Sequence, residues 1–120
     1  MENNMTQPNV WKVAPVKEQP SLTLVHWSIL EIEAGTRHLS GYCLENREGR
    51  ASTAIVKFDP ATMRCDTQSG RVYQLQGGPG EDADAEYVWT CWAAVNGAKR
   101  WKDVTEEVLG DTRKEPGGTA

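Results

Sequence analysis

Three short stretches of this chain close on glycine, Glu33-Ala34-Gly35, Arg47-Glu48-Gly49 and Gln68-Ser69-Gly70, and each lies between runs in which polar and apolar residues alternate. A three-residue hairpin loop usually places its last residue at positive φ, where glycine sits without strain. Alternation with period two on both sides is the pattern of strands half buried in a sheet. The turns therefore predict a β-meander through the middle of the chain.

Strands are expected over 22–33, 37–44, 51–58, 63–67 and 71–76. With 33–35 as the first loop, Glu31 faces Arg37 and Ile29 faces Leu39, a chemically sensible register. A two-residue loop at Ala34-Gly35 shifts that pairing by one and sends neighbours to opposite faces. In the third strand Ser52, Ala54, Val56 and Phe58 share a face, and Asp59-Pro60-Ala61-Thr62 supplies a type I turn.

Gly77-Gly78-Pro79-Gly80 breaks the sheet, and the periodicity then changes. Ala85, Val88, Trp89, Trp92 and Val95 fall on one helical stripe, with acids in the first turn and Asn96-Gly97 as a stop. Asp103 and Glu106 have capping-box spacing for a short helix ending at Gly110. The expected fold class is α+β: a five-stranded antiparallel β-meander with one Trp-rich helix packed on one face and a short C-terminal helix. Residues 1–21, with Pro8, Pro15 and Pro20, read as a flexible arm, 22–110 as a single domain, and 111–120 as a disordered tail.

The 120 residues suffice for one domain, and a net charge of −4 argues against broad adhesion to nucleic acid or anionic lipid. Cys43, Cys65 and Cys91 are odd in number and lack a CxxC spacing, so reduced thiols are expected. The opening residues have neither a basic n-region nor an apolar h-region, and no apolar run is long enough for a membrane span. Cytoplasmic location is the expectation.

Of the five tryptophans, Trp27, Trp89 and Trp92 read as core rather than as a cage for bases or methylated cations. Tyr87, Cys91 and Ala94 widen the apolar arc of the helix to roughly 200°, more than one sheet covers. Either the arm at Trp11 or the segment carrying Trp101, Val104, Val108 and Leu109 folds over it, or a partner protein does. The lid within the chain is the preferred arrangement, because those segments have little else to bury against. Glu81, Asp82, Asp84 and Glu86 either start the helix electrostatically or imitate phosphate spacing for a basic partner. Arg47, Arg50, Arg64 and Arg71 form at most a polar rim.

The inventory for catalysis is thin. His26 and His38 are the two histidines. A Cys43–His26 pair needs a slipped register, and a zinc site of both histidines with Cys43 and Cys65 has no supporting spacing. The 77–80 loop lacks the Lys-Ser/Thr of a phosphate loop, and acids follow it. No catalytic residue, metal or cofactor is assigned. A deep polar pocket containing His26 or His38 is the observation that would reopen catalysis.

The phrases GYCLENREGRASTAIVKFDP (41–60), SGRVYQL (69–75) and DAEYVW (84–89) resemble short uncharacterised proteins of proteobacterial plasmids and integrated elements. That resemblance implies an accessory role, in element maintenance or in blocking host defence, and transfers no functional residue. The expected function is non-catalytic binding to another protein, through the exposed sheet face or through Tyr87, Cys91 and Ala94. The competing reading is an acidic inhibitor or DNA mimic acting through Asp82, Asp84 and Glu86 on a nucleic-acid enzyme. A small enzyme comes third.

Overall fold

The computed structural model describes residues 15–113. Trp11, most of the 1–21 arm and the tail beyond 113 lie outside them. Among the described residues the order is β1 (Ser21–Ile32), β2 (Arg37–Cys43), β3 (Glu48–Ala51), β4 (Ile55–Asp59), β5 (Arg64–Thr67), β6 (Val72–Leu75), α1 (Ala83–Asn96), β7 (Trp101–Asp103) and α2 (Thr105–Arg113). The α+β class is as expected; the single five-stranded meander is not what forms. Instead, β1-β2-β3 and β4-β5-β6 are two antiparallel meanders joined by a parallel pairing of β1 with β6, in the order β3-β2-β1-β6-β5-β4. Strand β7 pairs with the last three residues of β1, Leu30–Ile32, on the same edge.

The expected strand over 51–58 divides because Ser52 turns the chain out of β3. Its amide donates to the Leu39 carbonyl at 2.9 Å, while its hydroxyl accepts from the Leu39 amide at 2.8 Å and donates to the Thr53 carbonyl at 2.7 Å. Only residues 52–54 then connect β3 to β4, the opposite edges of the sheet. That connection spans at most about 14 Å, whereas the edges of a flat six-stranded sheet stand about 24 Å apart. The sheet must therefore roll. Arg50 Nε of β3 donates to the Tyr73 hydroxyl of β6 at 3.1 Å across the hollow of the roll.

The interior holds Leu22, Leu24, Trp27, Ile29, Leu39, Cys43, Cys65, Tyr73 and Leu75, joined by Val104 and Leu109 from the α2 segment. Helix α1 lies on the other face over β2 and β3, where Trp89, Trp92 and Ala93 pack with Leu30, Ile32 and Ala51. Of the expected lid segment, Val104, Val108 and Leu109 thus belong to the opposite side of the sheet from α1, which corrects the expected lid, and only Trp101 meets the helix, against Trp89.

In β1 the inward residues are even-numbered at Leu22 and Leu24 but odd-numbered at Trp27 and Ile29. The phase changes at a bulge: Val25 pairs with Tyr42 and Ser28 with Ser40, so His26 and Trp27 together oppose Gly41. His26 takes φ 49°, the left-handed conformation that lets an extra residue fit. A Cβ on Gly41 would stand 3.1 Å from the Trp27 Cα, so the bulged strand needs glycine opposite it.

The first loop has the expected register, with Ile29 facing Leu39, Glu31 facing Arg37, and Gly35 at φ 97°. Arg37 Nε donates to Glu31 Oε1 at 2.8 Å, which holds that carboxyl below its usual range. Gly70 likewise sits at φ 95°. The middle loop departs from expectation: Arg47, at φ 57°, is the left-handed residue, and Gly49 is a β3 residue paired with Tyr42.

Candidate functional site

Helix α1 starts as its sequence requires. Asp82 is the N-cap, and its Oδ2 accepts from the Ala85 amide at 3.0 Å. Gly97, at φ 73°, ends the helix with its amide directed at the Ala93 and Ala94 carbonyls. The buried arc comprises Ala85, Val88, Trp89, Trp92 and Ala93. Val95, expected beneath the helix, is instead 65% exposed, because at 100° per residue it falls just outside that arc.

Of the sequence-derived site residues, Tyr87, Cys91 and Ala94 fall on the outward side of α1, where Tyr87 is 68% exposed, Cys91 half-buried and Ala94 exposed. Tyr87, Cys91 and Val95, at i, i+4 and i+8, line one flank. The Cys91 thiol holds the Tyr87 phenol above its usual range, as neighbours one turn apart would. No other described segment covers this flank. Asp84 is exposed near the N-terminus, and Glu86 lies on the opposite flank with Thr90.

That second flank borders a cleft of about 280 Å³ which sequence reasoning did not assemble. Its floor is the bulge at His26 and Ser28, its roof the first turns of α1, and its far wall Trp101 and Asp103 of β7. The cleft opens where β6 stops pairing with β1 at Leu24 and β7 has not yet begun at Leu30. Residues 77–80 flank it: the Trp27 indole N–H donates to the Gly77 carbonyl at 3.2 Å, and the Gly80 amide donates to the Trp27 carbonyl at 3.0 Å. Glu33 fixes the other side. Its carboxylate accepts from the Lys99 and Arg100 amides at 2.9 and 3.2 Å, bonds that lower its pKa and anchor the turn leading to Trp101.

Trp101 meets Trp89 edge to face, with ring centres 5.7 Å apart and planes at 78°. Trp89 in turn stacks on Trp92 at 4.9 Å, and His38 packs on Trp92 at 4.6 Å. A signal for the cleft existed in the switch from even to odd inward residues along β1. Its walls come from segments too distant in sequence for spacing to join them.

His26 reaches this cleft and His38 does not. His38 is 4% exposed; its Nδ1–H donates to the Ser52 carbonyl at 3.0 Å, and the Thr36 hydroxyl donates to Nε2 at 2.7 Å. Burial lowers its pKa from the usual 6.5. The unfolded chain therefore takes up this proton first on acidification, and stability falls as pH drops below about 6.5. Urea midpoints between pH 6.5 and 5 should decline more steeply in the native protein than in His38→Gln. Equal slopes would show that His38 does not carry the effect.

Cys43 faces Leu24 rather than His26, and burial raises its thiol pKa. Burial pushes Cys65 up to about 12. Neither thiol is an activated nucleophile. Among the described residues His26 makes no hydrogen bond to a hydroxyl, thiol or carboxylate, so no nucleophile–base pair is assembled around it. No group of three or more His, Cys, Asp or Glu among them is arranged to hold a metal ion. No described helix is long and apolar enough to cross a membrane. No family model, curated protein or solved structure matches the chain.

Proposed function

We propose that this is a non-catalytic binding protein of the cytoplasm that docks another protein along the outer flank of α1. The observation that carries the reading is the exposed pair Tyr87 and Val95, flanking half-buried Cys91 and with exposed Ala94 beside them, on a helix whose other face is fixed to the sheet. Two large apolar side chains more than three-fifths exposed, two turns apart on a rigid helix, suit a partner that lays an apolar surface across the helix. The accessory role on a mobile element implied by the resemblance goes with such binding. An acidic inhibitor acting through Asp82, Asp84 and Glu86 has less to work with, since Asp82 already caps the helix.

Paired variants test the proposal by affinity capture from the native host. Tyr87→Glu with Val95→Glu should lose a partner that the native protein retains at stoichiometric yield. Asp84→Lys with Glu86→Lys should keep it. The reverse pattern would replace apolar docking with phosphate imitation, and capture of no partner by the native protein would refute the proposal.

A further inference from the structure

We propose that the cleft between the β1 bulge, the first turns of α1 and β7 binds a compact alkylated ammonium ion. This inference uses the opposite flank of α1 from the docking surface and stands independently of it.

The walls combine two features that suit such a cation. Trp101, 42% exposed, meets the buried Trp89 at near right angles in one corner of the cleft, and the indole face that Trp101 offers there attracts alkylated ammonium through its quadrupole. Around that corner stand the carboxylates of Glu81, Asp82, Glu86 and Asp103, while neither lysine nor arginine lines the cleft. Asp82 and Asp103 each commit one oxygen to a helix-start amide, Ala85 at 3.0 Å and Thr105 at 2.8 Å, which fixes their carboxylates in place. Glu81 and Glu86 are exposed, and their carboxylates have no hydrogen bond or ion pair among the described residues.

The volume, about 280 Å³, suits a small ion and falls just below the roughly 300 Å³ at which pockets for drug-sized ligands begin. A second hollow shares Ser28, Gly80, Glu81 and Asp103 with the first, giving room for the group that carries the ammonium.

A local cost also falls here. His26, on the floor, is a non-glycine residue held at φ 49°. Backbone strain of this kind concentrates where a fold serves binding rather than its own stability.

The cation has two natural sources, a free small molecule or a methylated lysine of a protein. Choline and a short trimethyllysine peptide represent them, and 3,3-dimethylbutan-1-ol supplies the shape of choline without its charge. Titrated into the ¹⁵N-labelled full chain, choline or the peptide should shift the Trp89 and Trp101 indole signals saturably. The neutral alcohol should bind at least about tenfold more weakly. Glu81→Gln with Glu86→Gln, both exposed, should weaken the cation about threefold to tenfold without altering the fold, and Trp101→Leu should remove the response. Whichever probe binds more tightly identifies the source. Unmoved indole signals with both cations, or equal binding of the neutral alcohol, would overturn the proposal.

Discussion

Replacing Trp89 by alanine should destabilise the protein by about 3–5 kcal/mol, a large share of the roughly 5–15 kcal/mol that a domain has in all. The magnitude follows from its position. Trp89 is 3% exposed, stacks on Trp92 at 4.9 Å, and meets Trp101 edge to face at 5.7 Å. Its loss leaves a void beneath α1 that neighbouring rings, each already committed to another, cannot collapse to fill. Urea denaturation followed by circular dichroism should show an unfolded or nearly unfolded chain. A Trp89→Ala melting temperature equal to that of the native protein would refute this packing.

The second large effect comes from the smallest side chain. Gly49 lies in β3 directly beneath the start of α1, and a Cβ there would overlap the Asp84 carbonyl group and crowd the Ala85 amide. Those are backbone atoms of a helix capped by Asp82 and Gly97, so they cannot swing aside as a flexible side chain would. Gly49→Ala must therefore lift the helix from the sheet, costing about 1–3 kcal/mol. Gly35→Ala, where a Cβ meets nothing within 4 Å, is its control: the added side chain is strained there only by φ. The helix-lifting variant should also broaden the Trp92 and Trp89 indole signals, which the loop variant should leave sharp.

The contrast between these two glycines shows how far the sequence could be read. Gly35 and Gly70 hold the left-handed backbone that a short loop demands, a local requirement visible in the chain itself. Gly49 is small because a helix more than thirty positions later rests on it, and nothing near it in sequence records that contact. The first hairpin register was legible for the same local reason, as were the two ends of α1 from their first-turn acids and Asn96-Gly97, although Asp82 as the N-cap was not read. Helix α2 continues to Arg113, past the expected stop at Gly110.

Other features depend on distant partners. A three-residue link at 52–54 reads as continuous strand until the opposite edge of a rolled sheet is known to lie within its reach. Strand β7 has three residues, too few for a period of two to declare itself. The candidate cleft was hidden for both reasons. His26 was noticed as a residue, but Trp101 and Asp103 become its neighbours through the pairing of β7 with β1, next to which Glu33 grips the Lys99 and Arg100 amides. The binding residues read from helix spacing kept their helical flank while losing the expected cover, since Val104 and Leu109 found their apolar surroundings inside the roll.

Strand β1 leaves the ribosome ahead of every strand it pairs with, yet one of its edges waits for Val72–Leu75 and then Trp101–Asp103 to be made. A nascent chain halted after the β2–β3 hairpin holds Leu22, Leu24 and Trp27 beside an open row of amides and carbonyls. Synthesis thus passes through an interval in which this strand can recruit a chaperone or another unfinished copy, and that interval closes only when almost the whole domain has emerged.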